Sequence, residues 1–144
     1  SDTKEGGLYS IRVPTSMDAK DSGRIENSEG QVFENGEGKE ETWGVQAAWV
    51  DYSGPLASGQ EWGHTVVDHK DNPLFPTYWH VRGYGLFTAN PFGVHDFKGD
   101  ESIDASWTIP GGEQRVFRFR HIVHPGRGVD GHAAVREHIA AFQQ

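Results

Sequence analysis

Residues 68–95 read DHKDNPLFPTYWHVRGYGLFTANPFGVH, and the fold turns on how this stretch is read. Its centre, Tyr78-Trp79-His80-Val81-Arg82, alternates between apolar and polar-capable side chains. In a strand, successive side chains point to opposite faces, so Trp79 and Val81 would face a core while Tyr78, His80 and Arg82 face away from it. Pro73 and Pro76 push Asn72 and Phe75 toward extended geometry, which argues against a helix before the strand. Gly83 and Gly85 predict a bulge or a close backbone approach. Leu86 to Ala89 resumes as strand, and Asn90-Pro91-Phe92-Gly93 reads as a turn.

The same alternation recurs on both sides. Gly7 to Val13 places Tyr9, Ile11 and Val13 on one face and stops at Pro14. Residues 15–40 are polar and predict a long loop, with one short strand near Arg24–Glu26 or Gln31–Phe33. Glu41 to Tyr52 reads as one strand with Trp43, Val45, Ala47 and Trp49 on a face, turned by Ser53-Gly54-Pro55. Glu61 to His69 follows, after a second turn at Ser58-Gly59-Gln60, as the partner in a hairpin; Trp62, His64, Val66 and Asp68 share one of its faces. Residues 94–100 read as a polar loop, Glu101 to Ile109 as a strand, Pro110-Gly111-Gly112 as a turn, and Gln114 to His124 as the last strand. From about Gly131 to Phe142, Val135, Ile139 and Phe142 recur at helical spacing behind Asp130, a candidate cap. Seven or so strands joined by Gly/Pro turns predict a mainly β protein, an antiparallel β-sandwich with a short C-terminal helix, in a single domain over residues 1–144.

Composition narrows the function classes. The 144 residues carry 13 Lys+Arg against 21 Asp+Glu, a formal net charge of -8, with no basic run. Nucleic acid and anionic membranes are recognised by clustered cations, so neither is expected as a partner. Neutral ligands such as carbohydrate, or cations, fit this balance. With no cysteine there is no disulfide, thiolate metal site or cysteine nucleophile. No apolar run approaches the roughly 20 residues of a membrane helix. The opening SDTKEGGLYSIRV has no basic-then-apolar leader and already enters a strand pattern, as expected of a mature form or of a piece of something longer.

The candidate chemistry sits on the polar face of Tyr78–Arg82. His80 is placed as an acid/base group and Arg82 as a fixed donor to a hydroxyl or carboxylate. Asp68 is the candidate carboxylate partner, and its competing reading is a loop-initiating Asp ahead of Asp71-Asn72-Pro73. Asn90 is a candidate substrate donor or a turn stabiliser, Tyr78 a ring for stacking, and Trp62 the tryptophan best placed to contact a sugar. Sequence-local metal spacing is weak. His121 and His124 fall on opposite faces of a strand, and His132 and His138 are out of phase on the helix. No cofactor is required by the sequence; a divalent metal, zinc or copper, would need a site assembled from distant residues such as His64, His80 and His95. No phosphate-cradling loop or nucleophile elbow is present.

The segments AAWVDYSGP (47–55), DHKDNPLFPTYWHVRGYGLFTANPFG (68–93) and PGGEQRVFRFRHIVHPG (110–126) resemble a bacterial family of unknown function that also carries the label "methane oxygenase PmoA". The resemblance implies a sandwich similar to galactose-mutarotase-like carbohydrate-active proteins, and export to the periplasm or beyond. It also implies a chain about twice as long, with an N-terminal half bearing a motif of the type DHPHHRGLW. Nothing like that motif occurs here, so the resemblance is to the C-terminal half, half of a mutarotase-like supersandwich. Such a half would expose sheet edges and is expected to pair with a second copy or with the missing half. The oxygenase label implies a membrane complex that this sequence does not match. Two functions follow as expectations: a sugar-processing enzyme using His80 and Asp68, or a non-catalytic carbohydrate-binding or scaffold module. A His-ligated metal protein is the third.

Overall fold

The computed structural model describes residues 3–37 and 42–144. Among the described residues nine strands form two antiparallel sheets: β1 (Tyr9–Arg12), β2 (Arg24–Asn27), β3 (Val32–Glu34), β4 (Val45–Gln46), β5 (Trp49–Pro55), β6 (Glu61–Asp68), β7 (Tyr78–Val81), β8 (Leu86–Ala89) and β9 (Phe119–Pro125). The first sheet has the order β1-β8-β7-β4 and the second β3-β2-β5-β6-β9. The described residues also form α1 (Val94–Lys98) and α2 (Ala133–Phe142).

Both sheets feed one core. Ile11, Trp79, Val81, Phe87 and Ala89 come from the first sheet; Ile25, Phe33, Val50, Tyr52, Val66 and Phe119 come from the second. Trp79 and Val81 are fully buried here, as the alternation in β7 requires. Tyr52 ties the layers with its hydroxyl, which accepts from the Ala19 and Gly85 amides and donates to the Arg82 carbonyl. On the far side of the second sheet, Val135, Ile139 and Phe142 of α2 pack on Val67, Trp49 and Ile122. That is the amphipathic stripe read from the sequence, although the helix begins after His132 with no side-chain cap, so Asp130 does not cap it.

Several expected boundaries are corrected. Residues 15–37 are not a solvated loop: a 3-10 turn at Thr15–Met17 leads into the β2–β3 hairpin, and Met17, Ala19, Ile25 and Phe33 all enter the core. The remainder of that expected loop, 38–40, and Glu41 lie outside the described residues. The single strand expected over 41–52 is two strands in different sheets. The chain changes sheet at Ala47-Ala48, where small side chains leave room for the crossing and the Ala47 carbonyl accepts from the buried Trp79 indole at 2.8 Å. Ser53-Gly54-Pro55 stays in strand, paired as far as Pro55↔Glu61, and the reversal falls at residues 56–60.

Gly83 and Gly85 mark the tight β7–β8 hairpin turn; there is no bulge, but the close backbone approach is present, since a Cβ on Gly85, at φ 89, would lie 3.0 Å from the Val13 carbonyl oxygen. Residues 94–98 are helical. Over 101–109 the alternation is real but the strand is not: Ile103, Ala105 and Trp107 are half-buried while their neighbours are exposed. The segment has no strand partner among the described residues. Side-chain period reports which face is buried; a strand also needs a neighbour for its hydrogen bonds. For the same reason the last strand begins at Phe119 rather than Gln114.

Candidate functional site

The outer face of β7 carries His80. Its Nδ1 donates to the Lys4 carbonyl at 2.7 Å, which fixes the neutral ring as the tautomer with a bare Nε2. Trp43 and Phe97 meet the ring edge-on, with centroids at 6.2 and 5.9 Å. Phe97 reaches this position because Gly44, at φ 70, has no side chain; a Cβ there would lie 3.0 Å from Phe97 Cβ. Next along the chain, the Arg82 guanidinium lies 5.3 Å from the Trp43 ring centroid and 5.9 Å from that of Tyr84. Together Lys4, Glu5, Trp43, His80, Arg82, Tyr84 and Leu86 line a cleft of about 240 Å³.

Only part of the expected constellation converges there. Tyr78 shares the face but not the cleft. Phe97 stacks on it at 6.0 Å and also meets His80. Tyr78 instead lines a neighbouring cleft of about 350 Å³ with Gln46, Phe75, Asp104 and Trp107. Asp68 is not a partner for His80. It is 1% exposed, accepts from Asn72 Nδ2 at 2.7 Å and from the Thr77 amide at 2.9 Å, and so closes the 69–77 loop. Burial holds its carboxyl above the usual carboxylate range against those two bonds. The loop reading of Asp68 is the one realised.

Asn90 is likewise committed. Its amide nitrogen donates to the Thr3 and Lys4 carbonyls, both at 3.0 Å, and its oxygen accepts from the Phe92 amide. Both amide hydrogens are used in holding the N-terminal segment. Trp62 is half-buried on β6 opposite Pro125, in the sheet that does not contain His80.

The expected metal set is dispersed. His64 lies on β6, His80 on β7 of the other sheet, and His95 on α1, 3.2 Å from Asp96. Among the described residues no group of three or more His, Cys, Asp or Glu is arranged to hold a metal ion. His64 is bonded instead to His121, Nδ1 to Nε2 at 2.9 Å, and the second nitrogen of His121 lies 3.0 Å from the Tyr9 hydroxyl. Burial, then repulsion from His121, pulls the His64 pKa below its ordinary value; burial does the same to His121.

A second polar cluster lies under the outer face of the second sheet, and sequence reasoning missed it. Asp51 is fully buried and accepts from Thr65 Oγ1 at 2.7 Å and from His124 Nε2 at 2.8 Å. His124 Nδ1 donates to the Pro125 carbonyl. Both ring nitrogens face acceptors, so His124 is an imidazolium paired with the Asp51 carboxylate. Burial pulls the His124 pKa down, but the Asp51 bond and charge, with help from the Pro125 carbonyl and Glu26, outweigh it and hold the value above the ordinary one. The strand alternation puts Asp51, Thr65 and His124 on one side; only the β5-β6-β9 order makes them neighbours.

Against known proteins, a model of a family of unknown function (DUF6807) matches residues 1–137. The chain belongs to DUF6807. No curated protein and no solved structure matches this DUF6807 chain. Among the described residues no helix is long and apolar enough to cross a membrane.

Proposed function

We propose that this DUF6807 chain binds carbohydrate in the cleft on the outer face of the first sheet, as a non-catalytic module. The observation that carries the reading is the Arg82 guanidinium set against Trp43 and Tyr84, beside His80. Sugars are recognised by aromatic plates against their C–H faces and by fixed donors toward their hydroxyls. A volume of about 240 Å³ suits a monosaccharide unit. The net charge of -8 favours a neutral ligand over an anionic one. Export from the cell, and the resemblance to mutarotase-like sandwiches, belong to the same proposal.

Calorimetric titration with a panel of neutral mono- and oligosaccharides tests it. Trp43→Ala and Arg82→Ala should each weaken binding at least about tenfold, the scale of one lost charge-assisted hydrogen bond or stacking contact. Unchanged affinity in both variants would remove the cleft from consideration. A catalytic reading is favoured by one observation: His80 presents a bare Nε2 in a cleft that Glu5 also lines. In that case His80→Ala abolishes turnover while leaving binding largely intact. Asp68, spent in its loop, has no part in either reading.

A further inference from the structure

On the inner face of the second sheet, at its β9 edge, two histidines meet. In the β6–β9 register His64 stands opposite Val123 and His121 opposite Val66, so the two imidazoles are diagonal neighbours on one face. Their rings lie 5.1 Å apart, and His64 Nδ1 is 2.9 Å from His121 Nε2. Two zinc–nitrogen bonds of roughly 2.0–2.1 Å, at angles from square to tetrahedral, separate their nitrogens by about 2.9–3.4 Å. The backbone therefore already holds the two nitrogens at the span of a pair of ligands on one ion.

We propose that His64 and His121 form a two-histidine site for a divalent, imidazole-preferring transition metal ion of the zinc class, with Tyr9 as the residue that orients His121. The ion takes the place of the proton shared between the rings. Both rings are neutral before and after: the N–H that lay between them moves to the far nitrogen of its own ring, so that His64 carries its proton on Nε2 and His121 carries its on Nδ1, donated to the Tyr9 hydroxyl 3.0 Å away. A hydrogen bond to the far nitrogen is the usual way a ligating imidazole is fixed in tautomer and direction. His121 is exposed and Val123 beside it is 56% exposed, so the remaining coordination positions open to water or to a small exogenous ligand. The chain's negative balance favours a cation, while Asp51 and its partner His124 act on His64 with opposite signs. The site is independent of the sugar cleft, which lies on the other sheet.

Zinc chloride titrated into the untagged chain, followed by calorimetry and by imidazole nitrogen NMR, tests the proposal. One equivalent should bind, with shifts at His64 Nδ1 and His121 Nε2. His64→Ala and His121→Ala should each lower affinity at least tenfold, and Tyr9→Phe about tenfold, while His95→Ala leaves it unchanged. His121 is exposed, so the His121→Ala variant stays folded, as a thermal melt will verify. Equal zinc binding by the double variant His64→Ala/His121→Ala, or shifts confined to other histidines, overturns the proposal.

Discussion

At Asp51 and His124 the chain commits a charge pair to its interior, at 0% and 4% exposure, and Asp51 Oδ2 has no hydrogen-bond partner among the described residues. Removing one member of a buried pair strands the other, at about 3–5 kcal/mol. Asp51→Ala is therefore expected to cost that much in chemical denaturation. The pair also gives stability a pH dependence. An unfolded histidine titrates near 6.5, and the folded His124 value is raised. Its stabilisation is therefore full below about 6.5 and is lost as pH rises through the folded value. His64 and His121, with lowered values, act the other way and cost stability as pH falls below about 6.5. Melting curves of wild type and His124→Gln should show a gap that is wide near pH 6 and narrows toward pH 9. A gap constant across that range would refute the assignment of His124 as imidazolium. At this scale the sequence was half legible. The outward direction of His80 and Arg82 followed from alternation within five residues, whereas the partners of His64 and Asp51 depend on strand order across more than 50 positions.

Among elements, the β2–β3 hairpin shows where polar composition misleads. Its segment has few apolar residues, yet Met17 and Ala19 are fully buried, because the 3-10 turn is pressed onto β5. Gly23 makes that contact work: a Cβ there would lie 1.9 Å from the Met17 carbonyl oxygen, with backbone on both sides of the clash. Gly23→Ala is expected to destabilise by more than the ~1–3 kcal/mol typical of overpacking, since backbone must move. A melting temperature unchanged in that variant would show the turn to be loosely held. α1 was not read from the sequence, where residues 94–100 stood as a polar loop. Gly93 before it and Gly99 after it, the latter left-handed at φ 62, are the stop signals of a short helix. The strap over 101–109 was not legible either, because burial alternation looks the same in a strand and in an unpaired extended chain.

For the whole molecule, the sandwich and its terminal helix could be read from turn spacing and period alone, and the place where one strand becomes two could not. Nothing in Trp43–Trp49 announces a change of sheet except the paired alanines. The architecture leaves β1 and β9 as edges on the same side, joined by the Tyr9–Phe119 contact at 5.7 Å. Exposed Val123 lies on β9, and an open edge of that kind is a template for pairing with another chain. Light scattering at high concentration should detect self-association, and Val123→Lys should reduce it by placing a charge on the edge. A wild-type chain that stays monomeric at every concentration would show the edge to be protected already.

The position of β1 has a consequence for synthesis. Tyr9–Arg12 pairs only with Leu86–Ala89, whereas β2, β3, β5 and β6 find one another within residues 24–68. During synthesis this part of the chain can thus assemble most of the second sheet while β1 is still waiting for a neighbour. The first sheet closes only once residue 89 has emerged, so β1 stays unpaired until β7 and β8 have been made.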